Sequence, residues 1–321
     1  MTAAVPNPAT QPRRYTLSRR HALIGGACLC CLPAAARAMD GRIVEVAPGV
    51  FMRRGVDEDA TAANLDAIAN IGFIVGRDSV LVTESGGSLA DGQWLRQAIK
   101  AATAKPIRYV VLTHVHPDHF FGAGAFTPDD PVFIGHARLK DALELRGDFY
   151  RQRLVDILGA ERTGPVVLPT RVIEDTGEID LGDRVITLTA HGPAHTLCDL
   201  SMIDRASGLL LPSDLLFVKR IPSLDGSLLG WLKELSALKA MGAAKAVPGH
   251  GPLVVDLAAA AAELERYLTA QRDGVRAEIA ANGSIENAVR TVAQAERGHW
   301  LLFDDYHARN VIAAYKELEW E

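Results

Sequence analysis

An α/β architecture, one domain with two β-sheets packed inside helices, follows from three features of the 321-residue sequence. Short apolar, β-favouring runs are interspersed with longer stretches of helical period, the pattern of mixed layers. The runs fall into two halves, each several strands followed by helices, with no close repeat, low-complexity segment or linker. Polar side chains gather where strands end, as they do when packed sheets present a cleft at one edge; inside a sheet each would need a buried partner. Hydrophobic residues make up 48% of the chain, enough for a sizeable core.

The elements follow in order. Residues 42–55 alternate like strands around the turn residues Pro48-Gly49. Asn64 to Asn70 reads as a loop or a short helical turn. Ile71 to Gly76 and Val80 to Thr83 read as a hairpin, and Glu84-Ser85-Gly86-Gly87-Ser88 as the turn after it. Ala90 to Ala102 has helical period, with Trp94, Leu95, Ala98 and Ile99 on one face, and Lys105-Pro106 stops it. Tyr109 to Leu112 is a buried strand. Phe120 to Phe126 is expected to begin a helix whose glycines allow close backbone approach. Pro131 to Gly135 is a strand, and Ala137 to Leu158 a charged helix, either a flap or a solvated surface. A second β run covers 171–173, 177–184 and 185–189. Leu200 to Asp204 and Gly208 to Leu211 make another hairpin, ended by Pro212-Ser213-Asp214. A helix at 228–241, a short strand at Ala246-Val247 and helices near 257–281, 285–292 and 302–318 complete the chain.

Residues 1–38 carry five arginines and no acid. Arg19-Arg20, the apolar run Ala22 to Leu32 and the small-residue site Ala36-Arg37-Ala38 read as an export signal of twin-arginine type, cleaved before Met39. The run is too short to span a membrane. The expectation is a periplasmic or secreted domain at 39–321 with no integral membrane segment. That domain has 29 basic and 39 acidic residues, a balance that disfavours nucleic acid and leaves a small-molecule substrate. Of four cysteines only Cys198 remains after cleavage, so no intramolecular disulfide supports the fold.

The chemistry concentrates in Thr113-His114-Val115-His116-Pro117-Asp118-His119, directly after a strand. Imidazole and carboxylate are ligands for zinc and similar metals. His195, Asp214 and His250 follow, each between turn-forming residues. Seven such ligands suit two divalent ions that acidify a water for attack on a carbonyl or phosphoryl centre.

In order and spacing these residues resemble the H-x-H-x-D-H pattern of the metallo-β-lactamase superfamily, from about Ile43 to the C-terminus. The resemblance implies a four-layer αββα sandwich. It implies that His114, His116 and His195 hold one metal, that Asp118, His119 and His250 hold the other, and that Asp214 bridges. Zinc is the first expectation, with iron and manganese compatible. Glu84 stands where the family often has Asp, which changes the reach of a supporting carboxylate. Asp214 stands where true β-lactamases carry Cys or Ser, pointing to the wider hydrolase branch.

Residues 113–126, 220–227, 306–310 and 314–320 are more specifically similar to the quinoprotein relay system zinc metallohydrolases. That implies a link to a quinoprotein dehydrogenase. The function expected is an exported dinuclear hydrolase of ester, thioester, lactone or amide bonds, using a metal-bridging hydroxide that Asp118 orients. The alternatives are a β-lactamase and a non-catalytic accessory protein of a dehydrogenase.

Other residues have smaller claims. Lys219 and Arg220 either grip an anionic substrate group or lie in a solvated loop. His191 is the competitor of His195 as ligand. His136, His299 and His307 read as surface or satisfied core histidines, Asp225 as a turn residue, Phe120 and Phe121 as core, and Cys198 as buried and inert.

Overall fold

The computed structural model describes residues 1–2 and 41–321; the leader predicted for 1–38 lies, but for its first two residues, outside them. Among the described residues the chain first lays down an antiparallel meander: β1 (Val44–Ala47), β2 (Val50–Arg53), β3 (Ile71–Val75) and β4 (Val80–Glu84). Helix α1 (Leu89–Ala102) then crosses over, and β5 (Ile107–Leu112) joins parallel to β4. A single helical turn, α2 (Pro117–Phe120), leads to β6 (Val132–His136). The helices α3 (Leu139–Leu158) and α4 (Ala160–Thr163) lead to β7 (Arg171–Ile173), which completes a seven-stranded sheet.

The second sheet repeats the scheme. Strands β8 (Thr176–Asp180), β9 (Val185–Ala190), β10 (Leu200–Asp204) and β11 (Leu209–Phe217) run antiparallel. Helix α5 (Leu228–Ala240) crosses over to β12 (Lys245–His250), parallel to β11, and β13 (Val255–Asp256) forms the edge. Helices α6 (Leu257–Ala280), α7 (Ile285–Thr291) and α8 (Phe303–Leu318) follow.

Three apolar interfaces make the four layers. Side chains alternate across a strand, so each strand feeds two interfaces. In β5, Val110 and Leu112 pack under α1 and α3 with Phe73, Val82, Leu95 and Phe133. Val111 points the other way and meets Leu188, Leu200, Met202 and Leu211 of the second sheet. On the far side Leu210, Trp231, Leu264 and Val311 join β11 to α5, α6 and α8. This is the αββα sandwich expected from the sequence. No helix among the described residues is long and apolar enough to cross a membrane.

Two departures from the sequence reading matter for the site. Phe121–Asp129 is a 3-10 helix, not an α-helix. Gly122 and Gly124 weaken helix propensity there, and a Cβ at Gly122 would lie 1.9 Å from the Ser85 carbonyl oxygen. Phe120 and Phe121 are fully buried in the core beneath α1. The β10–β11 hairpin does not end at Asp214: β11 runs on to Phe217, with Ser213 turned into the left-handed region (φ 51°). The charged surface helix expected at 137–158 forms as α3: Leu139, Leu143, Leu154 and Leu158 bury its inner face, while Leu145 and Phe149 on the other side are exposed.

Candidate metal centre

The seven predicted ligands converge at one edge of the sandwich, where strands from both sheets end or bend. Residues 113–119 follow β5, His195 lies in the β9–β10 connection, Asp214 in β11 and His250 at the end of β12. Two sets of donor atoms result, each within 4.8 Å of one another: His114, His116, His195 and Asp214, and Asp118, His119 and His250. Asp214 faces both. Its Oδ2 lies 3.2 Å from His195 Nε2 and 3.7 Å from His114 Nε2. Its Oδ1 lies 3.2 Å from His119 Nε2 and 3.5 Å from His250 Nε2. Asp118 Oδ2 is 3.2 Å from His250 Nε2. The kink at Ser213 and the bare Cα of Gly249 make this placement possible: a Cβ at Gly249 would lie 1.9 Å from Asp214 Oδ1. Gly249→Ala is therefore expected to displace the carboxylate and lower metal content at both sets, read by elemental analysis of the folded variant.

Each imidazole is oriented from behind. His114 Nδ1 meets Thr113 Oγ1 at 3.1 Å, and that hydroxyl donates to Glu84. His116 Nε2 meets Asp225 Oδ2 at 3.3 Å, and His119 Nδ1 lies 3.3 Å from Glu84 Oε2. His195 Nδ1 donates to the Ser223 carbonyl at 2.7 Å, and His250 Nδ1 to the Ile68 carbonyl at 3.0 Å. Behind His114, His116, His195 and His250 a hydrogen-bonding oxygen places the N–H outward and the lone pair inward, the tautomer a metal needs, whereas both ring nitrogens of His119 lack a hydrogen-bond partner. His114 Nε2, His119 Nε2 and Asp214 Oδ1 are buried with no hydrogen-bond partner. Orphaned inward donors, backed by outward acceptors, fit a divalent metal site.

At His119, His195 and His250 burial lowers the pKa, but the carboxylates, Asp214 foremost, outweigh it and raise all three, so a bound cation would take the place of protons there. Burial and the neighbouring imidazoles hold His114 well below its ordinary pKa, so it stays neutral. Burial pushes the Asp118 and Asp214 carboxyls up, but the imidazoles, His119 first, pull both well below the usual carboxylate value. Burial pushes Glu84 up, outweighing its contacts with His119 and Thr113. Glu84, longer than the family's usual Asp, thus reaches both the Thr113 hydroxyl and the His119 ring.

The cluster opens into a cavity of about 170 Å³, walled by Ile68, Pro117, Phe217 and Ile221 and reached by Arg220, Ser223 and Tyr306. Of the two expected substrate-binding residues, the structure brings only Arg220 to the cavity. It is buried, with its guanidinium hydrogen-bonded to the Glu58 carbonyl, Asp59 and the Tyr306 hydroxyl. Lys219 is exposed and does not line the cavity.

His191 stands outside the cluster, bound to Ser201 Oγ (2.7 Å) and Glu234 Oε2 (2.8 Å). His136 and His307 are buried and hydrogen-bonded, and His299 is exposed. Cys198 is buried, its thiol pushed up to about 12 mainly by burial. Asp225 is more than a turn residue, since it pairs with His116 and with Arg146 of α3. Sequence reasoning also missed Tyr306 and Asp66. Asp66 is buried beside the cluster at φ 60°, and burial, then the charge of Asp118, push its carboxyl well above the usual range. An acidic residue in a loop carries no sequence signal of that burial.

A two-sheet sandwich with a carboxylate shared between two donor sets at its edge defines a class, the metal-dependent hydrolase fold. The chain belongs to the metallo-beta-lactamase superfamily, whose family model matches residues 66–250. It is 30% identical over 189 residues to the acyl-coenzyme A thioesterase MBLAC2 of Homo sapiens, and likewise to that of Bos taurus. The matched stretch is 51% of this chain and 61% of each relative. A metallo-beta-lactamase from Pontibacter korlensis superposes with TM-score 0.59 at 14% identity, covering 71% of this chain and 99% of that one. One from Hirschia baltica gives 0.56 at 18% identity, covering 71% and 97%. At these identities the structures share the fold.

Proposed function

We propose that the protein is an exported hydrolase of acyl substrates, working with two divalent ions, zinc first, and acting on thioesters or esters. The observation that carries this reading is Asp214, whose two carboxylate oxygens face two separate sets of donors at the mouth of one cavity. Two ions so held would supply Lewis acidity toward a carbonyl and would lower the pKa of a bound water to about 7. The chain's own residues do the rest. Asp118 Oδ2 lies at the cavity wall, where it orients the attacking water and takes its proton. Ile68, Phe217 and Ile221 exclude bulk water from the reacting carbonyl. Arg220 and Tyr306 present polar groups at the cavity for the far end of the substrate.

The thioester preference draws on the relatives that are named acyl-coenzyme A thioesterases. Export, read from the leader, would separate the enzyme from the cytosolic coenzyme pool, so the shared element would be the acyl bond and not the coenzyme. Asp214, in place of Cys or Ser, weighs against β-lactam hydrolysis. The similarity of residues 220–227, 306–310 and 314–320 to quinoprotein relay hydrolases supports a place beside a quinoprotein dehydrogenase. Co-purification with a dehydrogenase, and no turnover of any ester, would favour an accessory role instead.

The test is hydrolysis by metal-loaded residues 39–321 against thioesters, esters, lactones, β-lactams and phosphodiesters. Turnover of one class that a chelator abolishes supports the reading; silence across the panel with metal bound overturns it. Chelation is also expected to lower the melting temperature, because ions that bind only the folded state stabilise it, by about 2.7 kcal/mol at a hundred times the dissociation constant. Calorimetry with and without chelator checks this, and an unchanged melt argues against a resident metal. Export is tested by cell fractionation and N-terminal sequencing, with a mature start at Met39 expected.

A further inference from the structure

The segment Ile221 to Ser227 touches the cluster from behind at two points. The Ser223 carbonyl fixes His195 Nδ1 and the Asp225 carboxylate meets His116 Nε2. Backbone bonds from Asp225 to His195 (2.9 Å) and from Ser227 to Ala194 (2.8 Å) make the segment and the His195 turn one unit. It is an irregular connection between β11 and α5, entered through Lys219 at φ 66° and belonging to neither sheet; its one β-type contact is an isolated bridge from Arg220 to Leu301.

What holds it is the C-terminal helix. Asn310 of α8, 1% exposed, donates from Nδ2 to the Pro222 carbonyl (2.7 Å) and accepts at Oδ1 from the Leu224 N–H (2.9 Å), so it brackets Ser223. Its Nδ2 is itself fixed by the buried Tyr267 hydroxyl at 3.0 Å. At the other end of the segment, Glu317 accepts from Ser227 Oγ (2.6 Å) and from the Leu228 N–H (2.6 Å). The residues before α8 add a third tie: Leu301 exchanges backbone bonds with Lys219 (2.7 Å) and Ile221 (3.1 Å). All of these contacts come from beyond residue 250, where the family match ends.

We propose that α8 is a working part of the metal centre, and that Asn310 is a positioning residue for one of the two donor sets. By bracketing Ser223 it sets His195, and through the same segment Asp225 and His116. The second set, Asp118, His119 and His250, leans on Glu84 and the Ile68 carbonyl, and none of the Asn310 or Glu317 hydrogen bonds reaches it. The inference rests on the metal-binding part of the function proposed above, not on hydrolysis. Groups behind metal ligands commonly change affinity by about 10- to 100-fold when removed.

The experiment is a cobalt(II) titration of metal-free residues 39–321, wild type and Asn310→Ala, followed by absorption and isothermal calorimetry. His116→Ala and His250→Ala assign the two equivalents. Asn310→Ala is expected to bind the equivalent lost in His116→Ala about 10- to 100-fold more weakly, and the one lost in His250→Ala as wild type does. Glu317→Gln, outside the buried Asn310–Tyr267 contact, is expected to shift the same equivalent by less, and carries the test if Asn310→Ala does not fold. A merely structural helix would lower the melting temperature and treat both equivalents alike, so equal weakening, or none, overturns the proposal. A wild type that binds no cobalt overturns the metal reading itself, and this inference with it.

Discussion

Asp214→Ala is expected to lose metal from both donor sets and to lower kcat/KM by about a thousandfold or more. Every other ligand serves one set; this carboxylate offers Oδ1 to one and Oδ2 to the other. Its removal also leaves His114, His119, His195 and His250 crowded together in a buried space without the charge that faces them. The rate loss follows because metal-assisted catalysis contributes several kcal/mol, and each 1.36 kcal/mol is about tenfold. Elemental analysis of the folded variant and steady-state kinetics check the two halves separately. Retention of both metals would show that the carboxylate is not shared. The fold should survive, since Asp214 itself belongs to none of the three apolar interfaces that hold the layers together.

Asp118→Ala is expected to abolish measurable turnover with the fold intact, a loss of about 10²- to 10⁴-fold from proton transfer alone. Asp118 Oδ2 lies against His250 and His119 and at the cavity wall, so it is both a ligand and the group best placed to take a proton from water. Asp118→Asn separates these roles. The amide keeps an oxygen for the metal but cannot accept the proton, so the variant should bind two metals yet remain slow. A folded Asp118→Ala variant with full activity would remove Asp118 from the mechanism.

The same residues show how far a linear reading reaches. His114, His116, Asp118 and His119 were legible because four metal-ligating types in six positions after a buried strand have no use in core packing. The strands were legible too, since Val110 and Val111 must point to opposite faces and both faces are apolar. Asp214 was legible as a donor but misplaced at a strand's end; its strand continues, and a single left-handed residue, Ser213, swings it into the cluster. No local pattern announces such a kink, because tertiary contacts hold it in place. Lys219 and Arg220 are adjacent and alike in charge, yet one faces solvent and the other the cavity. Choosing between them requires the direction of the chain as it leaves β11.

Composition and local order therefore set the layers, the donor residues and the acidic balance of the domain, because hydrophobic period and residue chemistry act over a few neighbouring positions. Which donors lie together, what stands behind each imidazole, and the reach of α8 across 86 to 88 residues of sequence to bracket Ser223 through Asn310 depend on long-range packing. Hydrogen bonds of 2.6–3.3 Å between segments remote in sequence exist only once both sheets have closed on their shared core.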